Sequence, residues 1–118
     1  MPERRRFVRF SAPFTVRLKV SEEAVDTPAI VENISFGGAK IFVSKSLQLS
    51  PSSYIKIFLL FSQVTLSING RVVWVKEYDD KKELGVCFIN MPDSYKEEIF
   101  NHVFKYYPSE ISKKWWQM

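Results

Sequence analysis

The sequence is poor in cysteine and histidine, and this scarcity excludes several kinds of site. Among its 118 residues there is one cysteine, Cys87, and one histidine, His102. A single cysteine rules out an internal disulfide and a cysteine-based metal cluster, and we expect neither a metal nor a cofactor. Together with the lack of a secretory signal sequence, it predicts a protein of the reducing cytoplasm.

Long apolar runs and catalytic motifs are also missing from the sequence. The longest apolar run, 57–61, is far too short to cross a bilayer, so no membrane span is predicted. His102 lies in a predicted helix, and Cys87 lies in a predicted strand with no histidine nearby in the sequence. No Walker loop, zinc-ligand spacing or nucleophile elbow occurs. The sequence therefore predicts a binding protein and not an enzyme.

The composition is that of one globular domain. Hydrophobic residues make up 46% of the chain, charged residues 25% and aromatic residues 15%. The first two are ordinary values for a folded chain, and the length allows one core. We predict a flexible arginine-rich arm over 1–12, a barrel over 13–91, a helix over 93–107 and a tail over 108–118.

Alternation of apolar and polar residues predicts six β-strands. In the first, 14–20, apolar residues occupy every second position, which is typical of a strand with one wet face. The others are predicted over 29–34, 39–43, 54–61, 64–75 and 84–89. Gly70, where the alternation changes phase, predicts a bulge or a sharp coil in the fifth strand. Short turns between the strands favour an antiparallel barrel or sandwich.

The hydrophobic period changes to that of a helix after Pro92. Apolar residues follow at 95, 99, 103 and 106, so we predict one amphipathic helix that ends at Pro108 and covers an open end or seam of the barrel. Ser94 and Glu97 have the spacing of a capping box at its start. The tail predicts a short second helical turn with Trp115 and Trp116, which pack on the barrel or bind a partner.

Positive charge is concentrated at the start of the chain. Four arginines and one glutamate fall within the first ten residues, which therefore carry most of the formal net charge of +4. Arginine is a planar fork that bridges phosphate oxygens or the O6 and N7 acceptors of guanine. A second segment, 33–38, ends in two glycines and predicts a tight turn with exposed backbone N–H groups, an amide and a hydroxyl. Together the two segments offer complementary groups to a nucleotide.

These two segments resemble the two motifs of PilZ domains, the bacterial receptors for cyclic di-GMP. Arg5, Arg6 and Arg9 match an RRxxR pattern, and 33–38 matches a [D/N]xSxxG pattern. The similarity covers roughly residues 4–107. It implies a mainly β fold, a six-stranded antiparallel β-barrel with a C-terminal α-helix packed on it, and a ligand on the outer surface of the barrel.

The resemblance also implies roles for single residues. Arg5 and Arg9 would grip guanine and phosphate groups, and Arg6 would add a further contact. The predicted ligand-binding residues on the other side are Asn33, Ser35 and Gly38. Peripheral contacts are expected from Arg4, Gly37 and Trp74. Trp74 would lie beside a base or pack the barrel. Asn33 stands where many members have aspartate, and its amide lacks the charge that attracts the N–H donors of guanine.

The resemblance further implies how such a protein signals. Without ligand, the arginines of the arm repel one another; a dianionic dinucleotide would order the arm and present a new surface to an unidentified downstream protein. Two alternatives stay open, a PilZ-like interaction module without nucleotide binding and a small barrel that binds single-stranded nucleic acid. Because the positive charge is confined to the arm, no nucleic-acid partner is expected.

Overall fold

A computed structural model describes residues 9–20, 27–61 and 64–114 of the chain. Within these residues there are six antiparallel strands, which close into a barrel, and two helices. The strands are β1 Phe14–Val20, β2 Thr27–Ile34, β3 Gly38–Ser44, β4 Tyr54–Leu60, β5 Thr65–Glu77 and β6 Lys81–Ile89. The helices are α1 Asp93–Tyr106 and α2 Pro108–Lys114. The predicted fold class, a six-stranded antiparallel barrel with a C-terminal helix, is confirmed.

The strands follow the order β1-β2-β3-β6-β5-β4 around the barrel. β1 pairs with β4 as well as with β2, and this pairing closes the sheet, with Leu18 opposite Ile57. In each strand alternate side chains point inward, because successive residues of a strand face opposite sides. The inward residues Val16, Leu18, Ile57 and Leu59 are fully buried and fill the core between the strands.

The sequence predicts a bulge or a sharp coil at Gly70, but the bulge of β5 lies at Val73. The inward alternation continues through Gly70 to Val72, and the register with β6 shifts between Val72 and Trp74. Val73 is the extra residue, and it is exposed. Gly70 has a different role: a Cβ there would lie 2.7 Å from Cγ1 of Val86, so a side chain would crowd the core.

Helix α1 begins without the predicted capping box. Its N-cap residue is Pro92, and no side chain of the described residues caps it. The backbone N–H of Tyr95 donates to the carbonyl of Pro92 at 3.0 Å and closes the first turn instead. Ser94 therefore lies inside the helix, where its hydroxyl cannot act as an N-cap. The capping-box prediction is wrong.

The apolar side of α1 covers an end of the barrel, as the sequence predicted. Ile99 and Val103 are buried in the core. The ring of His102 stacks on Phe61 with centroids 4.2 Å apart and also contacts Phe14, at 5.1 Å. Since Phe14 begins β1 and Phe61 follows β4, the helix lies across the place where these two strands close the barrel.

Contacts with the barrel begin before β1. Phe10 and Ala12 are fully buried, although the sequence predicts a flexible arm over 1–12 and a barrel that begins at residue 13. The backbone N–H of Ser11 donates to Oε1 of Glu110 in α2 at 2.7 Å, and the hydroxyl of Tyr107 donates to the carbonyl of Pro13.

Among the described residues, α1 and α2 both lack the length and hydrophobicity that a membrane-spanning helix needs.

Candidate functional site

A short backbone bridge places the second half of the arginine motif beside the end of β2. The N–H of Phe10 donates to the carbonyl of Ile34 at 2.8 Å, and the N–H of Ile34 donates back to the carbonyl of Phe10 at 3.0 Å. The buried ring of Phe10 meets Phe36 edge to face, with centroids 6.5 Å apart. The chain just before Phe10 is therefore held against the turn that follows β2.

Within this arrangement Arg9 contacts Asn33. Nη1 of Arg9 donates to Oδ1 of Asn33 at 3.1 Å, and both side chains are half-buried. These residues are the last arginine of the RRxxR pattern and the first residue of the NxSxxG pattern. Asn33 accepts this bond through its oxygen. Its N–H₂ group is the part of the amide that can donate a hydrogen bond. The described part of the first motif and the second motif meet in space.

Ser35 shapes the turn from inside. Its hydroxyl is buried and accepts hydrogen bonds from the N–H groups of Gly37 and Gly38, each at 3.2 Å. Its own N–H donates to the carbonyl of Gly38 at 2.8 Å. The N–H groups of Gly37 and Gly38, which the sequence predicts to be exposed, are therefore bonded to Ser35. A direct contact between Ser35 and a ligand stays a prediction.

Gly38 is a glycine because two strands come close there. It lies opposite Cys87 in the pairing of β3 with β6, and a Cβ on it would lie 2.1 Å from the carbonyl oxygen of Val86. No glycine of the described residues has a positive φ. Close approach of backbone to backbone therefore explains this glycine, and the positive φ on which the turn prediction depended does not occur.

Trp74 lies on the outer surface of β5. Two strands, β3 and β6, separate it from Asn33 in β2. It is opposite Gly85 of β6, and a Cβ on Gly85 would lie 2.2 Å from Nε1 of the indole. The indole thus lies directly on the backbone of β6, with 36% of its surface still exposed. Both roles that the sequence left open for Trp74, packing and contact with a base, are compatible with this position.

Two interacting carboxyl groups, those of Glu32 in β2 and Glu83 in β6, were not predicted from the sequence. Glu32 directly precedes Asn33, and a hydrogen bond to the side chain of Glu83, burial and the negative charge of Glu83 raise the pKa of Glu32. Lys40 and Lys81 oppose this rise through their positive charges. Oε2 of Glu32 is buried with no hydrogen-bond partner among the described residues. The two carboxyls can bond each other only when they hold a proton between them.

Several predicted site residues lie outside the described residues. Arg4, Arg5 and Arg6 precede residue 9, and Trp115 and Trp116 follow residue 114. The described part of the chain has no group of three or more histidine, cysteine, aspartate or glutamate side chains that could hold a metal ion.

The arrangement of Arg9, Asn33 and the turn around the buried Ser35 suits an anionic ligand that also has hydrogen-bonding edges.

Comparison with known proteins identifies the family. The family model of the PilZ domain matches residues 3–105, which is most of the chain. This protein therefore belongs to the PilZ domain family, as the two motifs predicted. No curated protein matches the chain significantly.

Solved structures have the same fold at low sequence identity. The PilZ domain of YcgR from Escherichia coli, solved with c-di-GMP, is 16% identical with a TM-score of 0.73, and the match covers 94% of this chain and 97% of that one. The Bacillus subtilis inhibitor of motility MotI/DgrA is 16% identical with a TM-score of 0.69, over 88% and 51% of the two chains. The K. pneumonia MrkH–c-di-GMP complex is 15% identical with a TM-score of 0.67, over 88% and 52%. The chain thus spans about half the length of MotI and MrkH.

Proposed function

We propose that this protein is a non-enzymatic cytoplasmic receptor for cyclic di-GMP that signals by ordering its N-terminal arginine segment. The observation that carries the proposal is the 3.1 Å hydrogen bond from Arg9 to Asn33, which joins the two motifs. Membership of the PilZ family supports it. Two of the similar structures, those of YcgR and MrkH, contain c-di-GMP, which supports the same ligand here.

The chemistry of the ligand matches the groups at this site. Cyclic di-GMP has two phosphodiesters and two guanines, so it carries two negative charges and presents O6 and N7 acceptors. A guanidinium has five N–H donors in a fixed plane, so Arg9 can bond Asn33 and a phosphate or guanine together. The amide of Asn33 can both donate to and accept from a guanine edge.

The remaining motif residues have two kinds of role in this proposal. Arg5 and Arg6 add charge-assisted bonds to phosphate or guanine, with Arg4 at the periphery. Ser35 and Gly38 act through the turn, since Ser35 holds it by hydrogen bonds and Gly38 lets β3 approach β6. Gly37 and Trp74 lie at the margin of the site.

Signalling in this proposal starts from the arginine segment. Bringing several arginines together is opposed by their mutual repulsion, and a dianion offsets this repulsion when it binds. The ordered segment and the adjacent barrel surface would then contact a downstream protein. We propose that the whole chain acts as a single PilZ domain in this process.

Calorimetric titration of the full chain tests the proposal. We expect saturable heat with cyclic di-GMP and none with GTP or cyclic AMP at the same concentrations. The double variant Arg5→Ala/Arg9→Ala should lose binding, because each lost charge-assisted bond costs about 1.5–3 kcal/mol. Lys56→Ala, which removes an exposed charge from β4, is the control and should bind normally. No heat and no NMR shift changes with millimolar cyclic di-GMP would show that the proposal is wrong.

A further inference from the structure

Four residues lie side by side on the outer surface of the barrel next to the motif turn. Asn33 of β2 is opposite Lys40 of β3, Lys40 is opposite Gly85 of β6, and Gly85 is opposite Trp74 of β5. Directly paired residues of neighbouring strands point to the same side of a sheet. We call these four residues the cross-strand row.

The side chains of this row point away from the core. On β3 the neighbours of Lys40, which are Ala39 and Ile41, are buried, so Lys40 between them faces outward. On β5 strict alternation would turn Trp74 inward like the buried Val72, but the extra residue Val73 shifts the phase, so Trp74 faces outward. Two of these positions depend on bulges, because the register of β2 shifts between Val31 and Asn33 and that of β5 shifts next to Trp74.

The cross-strand row has the length and the chemistry of a dinucleotide site. Four neighbouring strands span three strand spacings, about 14 Å. One end offers the amide of Asn33 with Arg9 bonded to it, the middle offers the ammonium of Lys40, and the other end offers the indole of Trp74. Gly85 lies between Lys40 and Trp74 and has no side chain to separate them. The indole of Trp74 lies on the backbone of Gly85.

Titratable side chains of β2 and β6, and Tyr78 after β5, also lie beside the row. A hydrogen bond to the side chain of Glu83 and burial raise the pKa of Glu32, which favours the uncharged form of this carboxyl. Both Lys40 and Lys81 act on Glu32 and lower its pKa against the effect of Glu83. Tyr78 also faces this pair, with its hydroxyl 3.4 Å from Oε1 of Glu83. Lys40 and Lys81 thus place two positive charges near these carboxyls, beside the row.

We propose that Lys40 is a phosphate-binding residue of the nucleotide site, and that the ligand lies across β2, β3, β6 and β5 with one base on Trp74. This inference rests on the proposed function. It adds a cation that neither motif contains and gives the ligand a direction on the barrel. The guanine near Asn33 and Arg9 occupies one end, a phosphate lies over Lys40, and the second base stacks on the indole.

Titration of matched variants at low and high salt tests the role of Lys40. Lys40→Met keeps the aliphatic stem and removes the charge, and it should weaken binding of cyclic di-GMP by about 10- to 100-fold. Lys40→Arg should restore most of the affinity. The variant without the charge should also lose affinity less steeply as salt is raised, because one ion pair fewer is screened. Lys56→Met, on the outer surface of β4, should match the wild type at both salt concentrations.

The direction of the ligand is tested at Trp74. Trp74→Leu should weaken binding by about 5- to 100-fold, because a stacked base loses its aromatic partner, whereas Trp74→Phe should retain part of the affinity. In the wild type, the indole N–H resonance of Trp74, assigned by its loss in Trp74→Phe, should shift when cyclic di-GMP is added. Thermal unfolding of each variant checks that the barrel is intact.

The outcomes separate this inference from the proposed function. If the wild type does not bind cyclic di-GMP, both are overturned. If the wild type binds and Arg5→Ala/Arg9→Ala does not, but Lys40→Met matches the wild type at both salts, the role of Lys40 is wrong and the receptor function stands. If the Trp74 resonance is unmoved at saturation, the ligand does not reach β5 and the proposed direction is wrong.

Discussion

Gly38 is the residue at which the motif turn and the barrel depend on each other. Its Cα approaches β6 so closely that a Cβ would lie 2.1 Å from the carbonyl oxygen of Val86. That oxygen belongs to the backbone of a paired strand and cannot rotate away. The motif predicts that Gly38 binds ligand, but the close packing of β3 on β6 also requires a glycine at this position.

Substitution of this glycine should destabilise the fold. In Gly38→Ala the new methyl group must push β3 and β6 apart, and crowding of this kind costs about 1–3 kcal/mol. Gly70→Ala is the matched control, because the nearest atom to its Cβ, at 2.7 Å, would be a side-chain methyl of Val86 and not a backbone atom. Urea unfolding should give a larger loss for Gly38→Ala than for Gly70→Ala. Equal free energies of unfolding in the two variants would contradict the close-approach explanation.

At the scale of elements, α1 is joined to the barrel by an aromatic cluster that contains one titratable group. His102 stacks on Phe61 at 4.2 Å and contacts Tyr106 at 4.9 Å. Burial among these rings lowers the pKa of His102, and the positive charge of Lys105 lowers it further. The helix therefore packs best when this imidazole is neutral.

The stability of the fold should accordingly fall in mild acid. A lowered pKa means that the unfolded chain binds the His102 proton more readily, so stability rises with pH in this range. The contribution is complete above the unfolded value of about 6.5 and is lost as the pH falls through the lower value of the folded state. His102→Phe keeps an aromatic ring and cannot titrate. Between pH 7.5 and 5 the wild type should lose more unfolding free energy than His102→Phe; parallel pH profiles would contradict this.

The strands could be predicted from the sequence, and their irregularities could not. Alternation of apolar residues is a local pattern, so all six strands were visible along the chain. The bulge at Val73 depends on the register with β6, which brings Trp74 opposite Gly85. A change of hydrophobic phase near Gly70 indicated an irregularity but could not locate it. The start of α1 could not be predicted for a similar reason, since Ser94 has the spacing of a cap but not its backbone position.

At the scale of the whole molecule, some residues of the candidate site could be predicted from local sequence patterns. Others could not, because strand pairing brings them to the site. The motif spacings are local, so Arg9, Asn33, Ser35 and Gly38 could be chosen from the sequence and a meeting of the two segments could be expected. Lys40 carried no signal, because its place in the cross-strand row follows from the pairing of β3 with β2 and β6. The sequence also places the chain between Arg9 and β1 in the arm, because no local pattern indicates that Phe10 pairs with Ile34.

The two ends of the described chain are also joined, by a contact that spans almost the whole sequence. Glu110 is buried in α2, and its carboxylate accepts the backbone N–H of Ser11 at 2.7 Å. Ser11 follows the bridge that holds Arg9 beside Asn33. We predict that Glu110→Ala leaves this N–H without its partner and destabilises the protein by about 1–3 kcal/mol. Urea unfolding measures the loss, and hydrogen exchange at Ser11 should become faster.

Two variants separate the contact from a general effect of substitution in the helices. Glu110→Gln retains a carbonyl oxygen that can accept the N–H, so it should lose less stability than Glu110→Ala. Glu97→Ala removes an exposed carboxylate from α1 and should leave exchange at Ser11 unchanged. If Glu110→Ala unfolds with the free energy of the wild type, α2 does not hold the start of the barrel. If exchange at Ser11 rises while that at β3 stays constant, the loss is confined to the segment that carries Arg9.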